Sequence, residues 1–305
     1  MTMRAWVLAA VAVTGLGAMA VAAAQAPPAP KVVEAEKITD TLYVLKGGGG
    51  NTALFLTATG AVVVDTKNPG WGQPLLEAVR KVTDKPVTMV INTHAHYDHT
   101  NGQVEFPPSV EVVAHENTKR YMEEANPVYG LQSGRQPNIF KDNGGRGMPA
   151  RTFRDTLTLG SGADRIDLHY FGRAHTGGDT YVVFPALGVM HVGDTFPNRD
   201  LPIMDKNNGG SGVAFAATLT RAAAVPGVTT IINGHSPTTT TPADLRTYAA
   251  FIRDFVAAVQ SAKAAGRSVD DVVATWKTPA AYAGYNAPQP ARIKADAEVV
   301  WSETK

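Results

Sequence analysis

The chain has 305 residues, 44% hydrophobic and 18% charged, with a formal net charge of +1. That is enough apolar material for a large globular core, and the absence of any basic block argues against nucleic acid or an acidic membrane surface as partner. There is no cysteine, which excludes disulfides, thiol nucleophiles and thiolate metal ligands.

The N-terminus reads as a secretory signal over residues 1–24. Arg4 gives a basic start, residues 5–24 are small or apolar, and Ala22 and Ala24 form an A-x-A cleavage site. Gly15, Gly17 and the many alanines make this run weakly hydrophobic, which favours cleavage over retention as an anchor. Residues 25–35, opening QAPPAP, then form a flexible leader. The expected mature protein is periplasmic or secreted, with no stable membrane insertion after cleavage.

Short strands follow at 41–45 and 52–57, joined by Gly47 to Gly50. No Gly-Lys-Ser/Thr follows those glycines, so they read as a flexible hairpin loop, with a place at the border of the active site as the lesser alternative, and not as a phosphate cradle. A buried strand at 61–65 ends in Asp65, and 74–80 has helical spacing with Leu75, Leu76 and Val79 on one face. The strand at 87–91 leads directly into His94-Ala-His96-Tyr-Asp98-His99. Alternate residues of an extended chain share a side, so His94, His96 and Asp98 face one point. A turn near Tyr97 would aim Asp98 and His99 at a second point close by. Ligands limited to His and carboxylates suit Zn, Fe or Mn.

A strand at 110–113 and a helix at 116–124 come next. Residues 126–150 are rich in Gly, Pro and Asn without a period, which is the pattern of a long binding loop or lid. Strands resume at 156–159, 165–170, 180–184 and 188–192, before a second glycine-rich loop at 197–212. A helix at 215–224, a strand at 229–232 and helices at 244–265, 269–276 and 291–302 complete the chain. Two strand-rich halves, each followed by helices, predict an α/β protein with two sheets and helices outside. His175, Asp194 and His235 each lie beside a glycine at or after a strand end, where sites are commonly built. His115, His169 and His191 lie in or next to strands and read as structural. Tyr129, Phe140 and Phe196 are candidate cleft walls, each of which could equally pack its own loop.

The order His94-x-His96-x-Asp98-His99, then His175, Asp194 and His235, resembles the metallo-β-lactamase superfamily over most of residues 36–305. The resemblance implies an αββα sandwich with the site at the edge between the sheets. It implies one metal on His94, His96 and His175, a second on Asp98, His99 and His235, and Asp194 bridging them, with Asp65 in support. Two Zn ions are the expected cofactors, and Asp98 is the expected proton shuttle. A bridging aspartate is typical of the family's thioesterases, lactonases and phosphodiesterases, whereas dedicated β-lactamases usually carry cysteine or serine there. The reading is therefore an exported dinuclear zinc hydrolase that uses metal-activated hydroxide on a small ester, lactone, thioester or amide. The alternatives are a β-lactamase, a mononuclear-iron persulfide dioxygenase-like enzyme and a non-catalytic binding module. The expected partner is a small-molecule substrate, and nothing in the sequence speaks to oligomeric state.

Overall fold

The computed structural model describes residues 30–305; the signal at 1–24 and leader residues 25–29 lie outside them. The first sheet is built from β1 (Glu34–Lys37), β2 (Leu42–Lys46), β3 (Thr52–Leu56) and β4 (Ala61–Val64). Helix α1 (Gly72–Val82) then leads to β5 (Val87–Ile91), followed by the single turn α2 (Tyr97–Thr100). After β6 (Glu111–His115) come α3 (Glu116–Glu124), the short α4 (Ile139–Asp142) and β7 (Arg151–Phe153). The second sheet uses β8 (Thr156–Leu159), β9 (Ile166–His169), β10 (Tyr181–Phe184), β11 (Val189–His191) and, after α5 (Gly212–Ala222), β12 (Thr230–Ile232). Helices α6 (Pro242–Ala264), α7 (Val269–Thr275) and α8 (Pro290–Glu303) close the chain.

The sheets run β1-β2-β3-β4-β5-β6-β7 and β12-β11-β10-β9-β8. Pairing is antiparallel from β1 to β4 and parallel from β4 to β7. In the second sheet only β11 and β12 run parallel. The layering follows from the pleat, because successive side chains leave a strand on opposite faces. Phe55, Val62, Val64 and Ile91 meet Leu168, Val182, Phe184 and Ile232 between the sheets. Their neighbours Leu54, Val63 and Val90 point the other way, onto Leu75, Leu76 and Val79 of α1. Tyr181, Val183 and Met190 likewise leave the second sheet toward Phe215, Phe251 and Phe255. Both faces of each central sheet are thus covered, giving the expected αββα sandwich.

The structure adds β1, β7 and α4 to the expected elements. All four residues of β1 are exposed, and its Glu-Ala-Glu-Lys sequence has no apolar alternation. It is a charged edge strand, the kind that resists further pairing. Its first two residues belong to the stretch expected as leader. β7 has three residues, too few to show a period. Among the described residues no helix is long and apolar enough to cross a membrane.

Candidate metal centre

Five segments deliver polar side chains to one edge of the sandwich. Asp65 follows β4, the His94–His99 stretch follows β5, His175 lies between β9 and β10, Asp194 follows β11 and His235 follows β12. The chain stays extended through His96 (φ −67, ψ 146) and then turns into α2. That turn separates the aim of Asp98 and His99 from that of His94 and His96.

All seven expected ligands meet there, in two groups. Ligand atoms of His94, His96, His175 and Asp194 lie within 4.8 Å of one another, as do those of Asp98, His99 and His235. Asp194 stands between the groups. Its Oδ1 is 3.3 Å from His99 Nε2, and its Oδ2 is 3.1 Å from His235 Nε2 and 3.8 Å from His175 Nε2. Ligand atoms of Asp65, His94 and His99 also lie within 4.8 Å of one another. The Asp65 carboxylate is already occupied, however. Its Oδ1 accepts from Thr93 N at 2.8 Å, and its Oδ2 faces Thr93 Oγ1 at 2.6 Å and His99 Nδ1 at 2.7 Å. Asp65 orients His99 and leaves ligation to others.

The outward partners of the histidines decide where their protons sit. His175 Nδ1 lies 2.6 Å from the carbonyl of Ile203, which can only accept, so this nitrogen carries the proton. His96 Nε2 lies 2.8 Å from Asp205 Oδ2 and donates to it. In their neutral forms His175 Nε2 and His96 Nδ1 therefore both present bare lone pairs, 3.0 Å apart. Two lone pairs at that distance repel unless a cation lies between them. His94 repeats the pattern: its Nδ1 is 2.9 Å from Thr93 Oγ1, which spends its own proton on Asp65, and its Nε2 is buried without a partner. Asp194 Oδ1 is likewise buried, with only His99 Nε2 near it, at 3.3 Å. Outer hydrogen bonds that fix tautomers and leave lone pairs converging inward are the signature of a metal site. This His/Asp cluster fits a divalent cation.

Electrostatics differ between the groups in the protein alone. Burial, with neighbouring imidazoles adding to it, pushes His94 well below its ordinary range and takes His175 down to about 3. In the other group Asp194 raises His235 to about 9 against the effect of burial. Burial also opposes charge on His99, but Asp194, Asp98 and Asp65 outweigh it and hold His99 well above its usual value. Burial works against the Asp98 carboxylate too, yet His99 and His235 bring it down to about 2.

Glycines let the backbone come this close. A Cβ on Gly234 would stand 1.8 Å from Asp194 Oδ1, and one on Gly50 would stand 2.1 Å from His99 Cε1. The hairpin loop therefore borders the centre at its far end, where Gly49 packs on the Asp98 carbonyl and Gly50 on His99. Lys67, fully buried, holds it in place by donating to the carbonyls of Leu45 (2.6 Å) and Gly50 (2.5 Å).

The remaining histidines stay outside the cluster. His115 faces the Arg154 carbonyl and caps α3, His191 faces the Asn51 carbonyl, and His169 stacks on Phe171. Of the expected cleft walls, Phe140 lines a cavity beside the centre. Phe196 is fully buried and stacks on Tyr248 at 4.2 Å, and Tyr129 bonds to Glu298 under the Lys206 ammonium. Asp205 is the residue that sequence reasoning missed. It is one acid in a glycine-rich loop with no pattern around it, and only the fold brings it to His96.

The sequence profile of the metallo-beta-lactamase superfamily matches residues 45–255. This chain belongs to that superfamily. Its members are generally metal-dependent hydrolases. A rat protein described as metallo-beta-lactamase domain-containing protein 1 is 38% identical over 71 residues, covering 23% of this chain and 28% of that protein. The 2,4-dinitroanisole O-demethylase subunit alpha of Nocardioides sp. is 26% identical over 163 residues, 52% of this chain and 45% of that one. The chain thus spans less than half the length of either relative. Among solved structures, a metallo-beta-lactamase from Pontibacter korlensis aligns with TM-score 0.57 at 18% identity, over 72% of this chain and 99% of its own. A stereoselective inverting sec-alkylsulfatase from Pseudomonas sp. aligns with TM-score 0.63 at 14% identity, over 87% of this chain and 49% of its own. At these identities the structures establish the superfamily fold.

Proposed function

We propose that this superfamily member is an exported hydrolase with a dinuclear zinc centre, acting on a small ester, lactone, thioester or amide. The observation that carries the reading is the pair of inward lone pairs on His96 and His175, 3.0 Å apart, beside a second cluster that shares Asp194. His94, His96 and His175 would hold one ion, Asp98, His99 and His235 the other, and Asp194 both. Two such ions supply Lewis acidity and a water deprotonated near neutral pH.

The chain's own residues do the rest. A cleft of about 320 Å³ lies over the centre, lined by His96, Asp98, Asp194, His235, Leu201 and Arg292 among others. Its volume is at the lower end of small-molecule sites, which suits a small substrate. The Asp98 side chain is 20% exposed, with Oδ2 3.3 Å from His235 Nε2. Asp98 lines the cleft beside Asp194 and is more exposed than it, and it would accept a proton and pass it to a leaving group. Asp205, Ile203 and Thr93 keep the imidazole tautomers correct. Asp194 supports general hydrolysis over dedicated β-lactam cleavage, in line with the resemblance. Export rests on the signal-like residues 1–24.

Metal analysis of the protein as isolated, followed by a screen of lactams, lactones, thioesters and phosphodiesters, tests the proposal. Two zinc per chain and turnover of an ester, lactone or thioester are expected. One iron per chain with persulfide oxidation would overturn it. So would activity that survives combined His96→Ala and His175→Ala substitution.

A further inference from the structure

A second cavity, of about 410 Å³, adjoins the metal cleft and shares His96, Tyr97 and Val128 with it as lining residues. Its other walls include Ala95, Met122, Pro137, Ile139 and Phe140. The volume falls within the range of small-molecule sites. Six neutral carboxamides, Asn101, Asn126, Gln132, Gln136, Asn138 and Asn208, also line it, yet Lys and Arg are absent from the lining and Asp142 is its one acid.

The cavity has a fixed shape because its roof is anchored. Met122 and Phe140 are buried together with Val104, and Ile139, Ala95 and Met148 pack against them. Asn138 donates to the carbonyls of Met122 and Glu123 and accepts from the amides of Phe140 and Lys141. One carboxylate ties this roof to the metal centre. Asp205 faces His96 Nε2 through Oδ2 and accepts from Tyr129 N, next to Val128, through Oδ1 at 3.0 Å. A molecule reacting at the centre therefore has an apolar chamber directly beside it, past His96 and Tyr97.

We propose that this chamber holds a neutral apolar arm of the substrate, an aliphatic or aromatic group carried on the carbonyl that is cleaved. An anionic arm would find no cation in the lining and would meet Asp142. This deepens the hydrolase reading and rests on it. Each methylene transferred from water into the chamber should favour the substrate about four-fold. A hexanoyl ester should then exceed the acetyl ester in kcat/KM by at least about ten-fold, even with imperfect burial.

The experiment compares 4-nitrophenyl acetate, hexanoate and decanoate on the metal-loaded enzyme and, separately, 2-naphthol binding by ligand-observed NMR. Ile139→Trp fills the chamber and should cut the hexanoate-to-acetate ratio and weaken 2-naphthol binding, each at least five-fold by the same scale. Ile139→Ala widens it and should move the preference toward decanoate. A hexanoate-to-acetate ratio and a naphthol affinity that neither substitution changes would refute the chamber, even if ester hydrolysis is robust. Should neither these esters nor any lactone, thioester or amide of the wider screen be hydrolysed while naphthol binding still responds to Ile139, the hydrolase reading fails and the chamber stands as a binding site.

Discussion

The two ligand clusters share Asp194 but are built on opposite electrostatic plans. His94, His96 and His175 are buried, and their outward hydrogen bonds leave three nitrogens with lone pairs facing in. Burial drives His94 and His175 toward the neutral form, so protons cannot readily replace a metal there. Asp98 and His235 line the cleft while His99 is buried beneath them, and carboxylates raise both His99 and His235 above their ordinary range. A metal at this second cluster must displace protons, whereas one at the first meets ready lone pairs. On the proposed dinuclear reading, the difference predicts an order in which the first cluster fills first and more tightly.

Substitutions can break that order. Replacing His96 and His175 together by Ala should abolish binding of both metals and cost at least ~10³-fold in kcat/KM, since several kcal/mol of charge stabilisation go with the centre. His235→Ala should instead leave one metal per chain. Emission spectrometry of the two variants distinguishes these outcomes, and equal metal loss in both would undo the comparison.

Gly50→Ala tests the second cluster by sterics alone, because the new methyl would stand 2.1 Å from His99 Cε1. We expect the second metal to be lost while the first is kept, with activity down by about 100-fold, the scale of a disturbed ligand orientation. Asp205→Asn addresses the first cluster from outside. It replaces the acceptor of His96 Nε2 and should weaken metal affinity by about 10- to 100-fold, measured by competition with a chelator.

The smallest effect concerns stability and not metal. Asp296 is fully buried; its Oδ1 takes the Met204 amide at 3.1 Å, and its Oδ2 has no partner. Burial pushes this carboxyl up to about 7, against Arg292, which lowers it from 3.9 Å away. A raised carboxyl keeps its proton in the folded state after the unfolded chain has released it. Its stabilising share is thus complete at low pH and lost as pH rises from about 4 toward 7. Melting curves should show Asp296→Asn gaining on the parent across this window, by on the order of 5 °C, with metal content unchanged. A gap that stays constant from pH 4 to 8 would show that Asp296 does not titrate there.

Much of this molecule was legible in one dimension. The strands at 87–91 and 156–159 match the observed β5 and β8 residue for residue, and α3 spans the expected 116–124. These segments have strong periods or clear caps. The charged edge strand β1 and the three-residue β7 escaped notice because pairing partners, and not their own residues, make them strands. The aromatic candidates divide for a similar reason. Phe196 and Phe140 look alike in sequence, yet one completes a stack with Tyr248 and the other lines a chamber.

The sequence by itself determined the inventory of ligands and the two directions in which His94–His99 would point. Spacing along an extended chain and a tight turn is local geometry, and residue types limit the chemistry to nitrogen and oxygen donors. Only the tertiary structure decided which nitrogen of each histidine faces inward. That choice depends on Asp205, Ile203, Thr93 and Asp65, whose outward hydrogen bonds reach across as many as 109 residues of chain. It also decided that Gly49 and Gly50 pack on Asp98 and His99 and that a chamber lies beside the site, since close approach and enclosed volume arise only once distant segments pack.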